Sequence, residues 1–293
     1  VSKGAALNLL LAALVGGVVA FAVAHGTAPK SPMPEAASSQ TTFERVTSTH
    51  TLRCAYAGYD PFLIIGNDGK ITGIFHDVLE EAAKRLNLKV IWAEEVGYGN
   101  INTGFMTGRY DAFCAGLWPA GSRAPSTIFS RAIDWDPVSV WVRGNDDRFD
   151  GNLEKLNDPA YKIADTDGDA TVSMADTLFP KAGRDTVSQN QTIGEEIAQV
   201  TTGKADAMFR DYITADKFMK DSPGSLKDLS PGKPPLIYPM TIGYNQKEFA
   251  LRDMIDVVLG DMERDGTTAR IIKQYMGDKS NMLYRKQDQF QPY

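Results

Sequence analysis

From Thr51 onward, short apolar runs alternate with stretches of helical periodicity, and that alternation restricts the fold more than any other feature of the chain. Leu52–Tyr56, Lys89–Ala93 and Tyr110–Leu117 read as strands. Between the first two, residues His76–Leu86 carry Val78, Leu79, Ala82, Ala83 and Leu86 at helical spacing. A second series follows Gly144. Tyr161–Ala164 and Ala205–Phe209 read as strands and Ile213–Met219 as a helix. Thr192 followed by Glu195 forms a capping box, which opens a helix through Ile193, Ile197 and Val200. A Pro-rich stretch, Pro231 to Pro239, interrupts the pattern before a strand at Ile242–Tyr244. Leu251, Met254, Ile255, Val258, Leu259 and Met262 then mark the strongest amphipathic helix, whose stripe is assigned to the core. Strand–helix alternation of this kind predicts an α/β protein with mostly parallel sheets.

The chain of 293 residues is long enough for two lobes. A formal net charge of -6 without a long Lys/Arg run argues against nucleic acid as a partner. His25, His50 and His76 are scattered, and no Cys/His pair has metal-ligand spacing, so no structural zinc site and no cofactor is expected. Cys54 and Cys114 both fall in strand-like runs. They can bond if those strands are neighbours in an oxidising compartment, or remain two buried thiols.

Residues Ala5 to Ala24 are apolar except for Asn8, about the 20 residues needed to cross a bilayer as a helix. Lys3 on one flank places that end in the cytoplasm. We expect an uncleaved transmembrane anchor over residues 1–25, with the protein on the periplasmic side of the inner membrane. A signal peptide cleaved after Ala22-Val23-Ala24 is the alternative. Residues 26–44, with Pro29, Pro32 and Pro34, read as a flexible tether. The tail, residues 281–293, has no periodicity.

Several local patterns resemble the family of periplasmic solute-binding proteins, family 3, which deliver polar amino acids to ABC transporters. Tyr59-Asp60-Pro61-Phe62 is similar to the loop after its first strand. Gly69-Lys70-Ile71-Thr72-Gly73 with Asp77, Thr107-Gly108-Arg109-Tyr110-Asp111-Ala112, and Arg123 with Phe129-Ser130 follow in the family's order. Gly203-Lys204-Ala205-Asp206-Ala207 ending at Asp211, and Asp265-Gly266-Thr267 with Ile271 and Tyr275, complete the series. The resemblance implies a two-lobed type II periplasmic-binding-protein fold. Lobe one would comprise residues 45–141 and 240–280, and lobe two residues 142–239. Crossovers would lie near Val140–Arg143 and Met240–Gly243, with a small polar ligand in the cleft. An integral membrane transporter or a larger membrane complex would be the partner.

A dry cleft must satisfy both charges of an amino acid. The resemblance assigns the carboxylate to Arg123, as a bidentate fork, and the ammonium to Asp211. Tyr59, Phe62 and Trp118 would form walls, and Gly116, Asp169 and Thr171 would complete the site. The bland alternatives are a solvated Arg123, an Asp211 that caps the next helix, and aromatics that are simply core. Trp118 takes cleft volume, and Asp169 in Gly168-Asp169-Ala170-Thr171 would repel a carboxylate, so a cationic ligand fits as well as an ordinary amino acid.

Three other readings of the chain stand beside this one. Asp165, Asp167 and Asp169 mimic positions 1, 3 and 5 of an EF-hand calcium loop, but position 6 is Ala170 and position 12 is Asp176. A non-transporting accessory or structural subunit on the same fold would retain the anchor without needing a ligand. For an enzyme, no Ser/His/Asp constellation or phosphate loop is present.

Overall fold

The computed structural model describes residues 40–188 and 192–283. The expected anchor, most of the tether and the end of the tail lie outside the described residues. No helix among the described residues is long and apolar enough to cross a membrane.

In chain order the first lobe comprises α1 (Thr42–Thr49), β1 (Thr51–Tyr56), the small hairpin β2 (Ile64–Ile65) and β3 (Ile71–Thr72), α2 (Ile74–Arg85), β4 (Lys89–Glu95), α3 (Ile101–Thr107), β5 (Ala112–Leu117) and β6 (Thr127–Phe129). The long β7 (Asp134–Arg143) leads into β8 (Lys162–Thr166), α4 (Ala170–Leu178), β9 (Gly183–Val187), α5 (Ile193–Thr201), β10 (Ala207–Asp211), α6 (Tyr212–Asp221) and β11 (Leu226–Asp228). The equally long β12 (Leu236–Asn245) returns to the first lobe and continues into α7 (Phe249–Arg264) and α8 (Thr267–Met276).

The strands form one continuous ladder in the order β4-β1-β5-β12-β7-β10-β8-β9. β1 pairs parallel with β4 and β5, and β8 pairs parallel with β9 and β10. The two parallel groups meet only through β7 and β12, which run antiparallel over Asp134–Val138 and Leu236–Met240. Beyond that segment, β12 turns to β5 and β6 from Thr241, and β7 turns to β10 at Val138. The crossing therefore lies several residues before the expected Val140–Arg143 and Met240–Gly243. The Pro-rich stretch also misled: β12 begins inside it at Leu236 and runs through Pro239. Pro137 and Pro239 both sit in the segment where each strand has a single neighbour. A missing N–H can face away from the ladder there.

The helices form where their apolar spacing provides a buried face. α2 buries Ile74, Phe75, Val78, Leu79, Ala82 and Ala83. α7 buries Leu251, Ile255, Val258, Leu259 and Met262 in the same core, as its periodicity requires. The Thr192–Glu195 capping box is present at the start of α5. α1 begins within the stretch read as tether. Val46 is fully buried and Thr42 Oγ1 donates to Glu248 Oε1 at 2.7 Å, so α1 is part of the first lobe.

Cys54 on β1 and Cys114 on β5 are fully buried and joined by a disulfide across neighbouring strands. The bond closes a loop between residues 60 apart in sequence. Cross-linking a loop of that length removes unfolded-state entropy worth about 2–4 kcal/mol. Replacing both cysteines with alanine should lower unfolding stability by about that amount, read as an earlier midpoint in urea denaturation. Dithiothreitol should shift the midpoint of the native protein and leave that of the double variant unchanged.

Candidate functional site

In each lobe the parallel strands end at the same edge, and the loops that leave those ends face each other. Such carboxyl ends are where open α/β sheets bind ligands. In the first lobe they supply Ala57-Gly58-Tyr59 after β1, Glu95 to Tyr98 at the end of β4, and Gly116 and Trp118 at the end of β5. In the second they supply Thr166 at the end of β8 and Asp169 after it, Thr192 and Ile193 at the start of α5, and Arg210 near the end of β10. Together with Arg123 and Glu196 these line a cavity of about 320 Å³, at the small end of the ~300–1,000 Å³ of ordinary ligand pockets.

Two guanidiniums lie in this cavity and both are paired. Arg123, 4 % exposed, donates Nη2 to Asp169 Oδ2 at 3.0 Å. It also donates to the carbonyls of Trp118 at 3.0 Å and Tyr98 at 3.1 Å. Burial pulls the Asp169 carboxyl upward, but the guanidiniums of Arg123 and Arg210 outweigh it and hold it below the usual carboxylate range. Asp169 also N-caps α4, accepting the Thr171 N–H at 3.1 Å. Gly168 at φ 74 sets up that cap, and an added Cβ there would stand 3.0 Å from the carbonyl oxygen of Gly99 in the opposite lobe. Arg210 pairs with Glu196, whose other oxygen accepts from Thr166 Oγ1 at 2.7 Å. Burial raises Glu196 more than Arg210 lowers it.

Tyr59 sets one wall. Its loop is pinned by mutual backbone bonds with Leu63 at 2.7 and 2.8 Å, which aim the ring at the second lobe. Its hydroxyl lies 2.8 Å from Asp211 Oδ2 and 3.2 Å from Asp136 Oδ2. A phenol has one proton to donate, and the shorter contact takes it. The longer contact is satisfied when Asp136 itself carries a proton. Burial, reinforced by the charges of Asp211 and Asp134, pushes the Asp136 carboxyl well above its usual range. The Trp118 indole N–H lies near Asp136 without forming a hydrogen bond of normal geometry. Tyr59, Tyr98 and Trp118 meet edge-on, with centroids 6.0 Å apart for Tyr59–Tyr98 and 6.5 Å for Tyr59–Trp118. Gly116, at φ 86, has no room for a side chain: a Cβ would stand 2.6 Å from Met240 Cε.

Of the residues chosen from sequence, the fold brings Tyr59, Gly116, Trp118, Arg123 and Asp169 to the cavity. Phe62, Thr171 and Asp211 do not line it. Phe62 is fully buried in the core, tilted against Tyr59 at 4.8 Å. The Thr171 hydroxyl accepts the Thr166 N–H at 3.2 Å. Asp211 caps α6 by accepting the Thr214 N–H at 2.7 Å, and its other oxygen is taken by Tyr59. The calcium loop is not formed either. Asp165 faces Arg184 at 3.5 Å and Asp169 turns to Arg123. Among the described residues, no group of three His, Cys, Asp or Glu could hold a metal. Sequence reading missed Arg210 and Glu196. A guanidinium directly after the apolar run Ala207–Phe209 needs a buried partner, and that was the available signal.

The sequence profile of bacterial extracellular solute-binding proteins, family 3, matches residues 52–278. The chain belongs to that family. A probable amino-acid ABC transporter-binding protein of Haemophilus influenzae is 22% identical over 238 residues, covering 80% of this chain and 88% of the relative. An L-cystine-binding protein of Bacillus subtilis is 22% identical over 223 residues, covering 75% and 78%. An ancestral amino acid-binding protein, a precursor of cyclohexadienyl dehydratase, superposes with a TM-score of 0.67 at 24% identity, covering 80% of this chain and 99% of that one. An ancestral arginine-binding protein bound to arginine gives 0.66 at 21%, covering 78% and 99%. These structures share the two-lobed α/β fold of this solute-binding protein.

The buried Asp136 of this binding protein has a testable consequence. Its carboxyl binds a proton in the folded state at pH values where the unfolded chain has lost it. Stability linked to it is therefore full below the ordinary carboxylate range and declines as pH rises toward the elevated folded value. Asp136→Asn keeps a donor toward Tyr59 and removes the titration. Urea melts between about pH 4 and pH 8 should show a shallower decline in the variant, with its relative stability greatest at the alkaline end. Parallel slopes in the two proteins would rule out a buried neutral acid.

Proposed function

We propose that this chain captures a small polar, amino-acid-like solute in the interlobe cavity and presents it to an integral membrane transporter. The observation that carries the reading is the cavity itself, walled by loops from the carboxyl ends of both sheets and lined by aromatic rings and buried charges. A site divided between lobes rewards closure, because the ligand gains its full set of contacts only when β7 and β12 bring the halves together. The names of the curated relatives support an amino-acid-like ligand and an ABC transporter as the partner. The apolar run Ala5–Ala24 supports attachment on the periplasmic side of the membrane.

A second reading, a structural subunit built on this fold, is favoured by one feature. Arg123 and Asp169 satisfy one another across the cleft without a guest. Isothermal titration against a panel of amino acids and small amines separates the two. Saturable binding of one molecule per chain is the expected result, and silence across the panel favours the structural subunit. Trp118→Ala removes one wall of the cavity and should weaken that binding by about tenfold or more, corresponding to about 1.4 kcal/mol. Undiminished affinity in this variant would place the ligand elsewhere.

A further inference from the structure

The charges in the cavity identify the chemical class of the solute. We propose that Asp169 occupies the seat a ligand carboxylate would need, so that this cleft selects a small amine without a carboxylate. This rests on the solute-binding reading of the same cavity.

A carboxylate entering a dry cleft needs a free guanidinium fork or a free helix N-terminus. Asp169 takes both: one oxygen accepts from Arg123 and the other from the Thr171 N–H that opens α4. The second guanidinium, Arg210, already pairs through Nη2 with Glu196, which cancels its charge toward an incoming anion. Displacing Asp169 would leave its charge buried and unpaired, which makes the exchange unfavourable. Its folded-state charge is also well defended, since both arginines act on it.

The cavity also carries groups that suit a cation. Three carboxylates, Glu95, Asp169 and Glu196, line the cavity against the two guanidiniums. Glu95 is exposed, so it stands at the cavity mouth, and among the described residues it has no hydrogen-bond or ion-pair partner. The Tyr98 hydroxyl is buried in the cavity wall without a partner and can accept from an ammonium. The Tyr59, Tyr98 and Trp118 rings add π faces that attract cations.

The test uses matched pairs that differ only in the carboxylate: agmatine and arginine, cadaverine and lysine, histamine and histidine. Each compound is titrated calorimetrically into the native protein and into Asp169→Ser, which retains a capping side chain. Asp169→Asn serves as the second variant if serine lowers the melting temperature. The expected result is that native protein binds at least one amine about tenfold or more tighter than its amino acid. The variant should shift that ratio toward the amino acid by a similar factor. Tighter binding of an amino acid by the native protein overturns the inference and leaves the binding function standing. So does a ratio unchanged by the substitution. Binding seen only in the variant overturns the amine assignment, and silence of all six compounds in both proteins overturns the amine assignment and the binding reading together.

Discussion

The ion pair between Arg123 and Asp169 is the contact on which the rest of the cleft depends. It joins the end of the first lobe's sheet to the helix N-terminus of the second. Both partners are largely shielded from water, so neither could be left alone without a large desolvation cost. Everything around the pair follows from keeping it satisfied. The carbonyls of Trp118 and Tyr98 accept two further guanidinium protons, and the Thr171 N–H donates to the second carboxylate oxygen. The exposed pairs Lys217–Asp60 and Lys279–Asp216 also link chain segments on the two sides. At the surface such pairs add little.

A second polar assembly sits behind the first. Asp136 is on the crossover strand β7, Asp211 ends β10, and the Tyr59 hydroxyl from the first lobe lies between them. Two buried carboxyls near one phenol disfavour a second charge, and burial together with the charges of Asp211 and Asp134 raises the Asp136 carboxyl well above its usual range. The crossover is therefore more than a pair of strands. It carries hydrogen bonds from the hinge to the wall of the cavity.

Much of the fold was legible in the sequence. Strand–helix alternation, the capping box at Thr192 and the stripe on α7 each report a local rule the structure obeys. The start of β12 was missed because the Pro-rich stretch ending at Pro239 reads as an interruption, and Pro137 and Pro239 normally signal the end of a strand. They are tolerated here by a ladder that has one side open. Capping of α6 by Asp211 is equally local, and a short polar residue before a helix says as much. The aromatic walls were only half legible. Phe62 and Tyr59 are three residues apart, yet one enters the core and the other the cavity.

What the chain determines by itself is the order of its elements, their buried faces and the presence of charges in apolar runs, because these depend on neighbours within a few residues. Which charges meet was decided only by tertiary structure. Arg123 and Asp169 lie 46 residues apart, and Tyr59 and Asp211 lie 152 apart. Pairing at such separations is set by where β7 and β12 carry the two lobes, and no local pattern encodes that distance. The same holds for Cys54 and Cys114, which sequence left as a bond or two thiols. The adjacency of β1 and β5 makes them a disulfide.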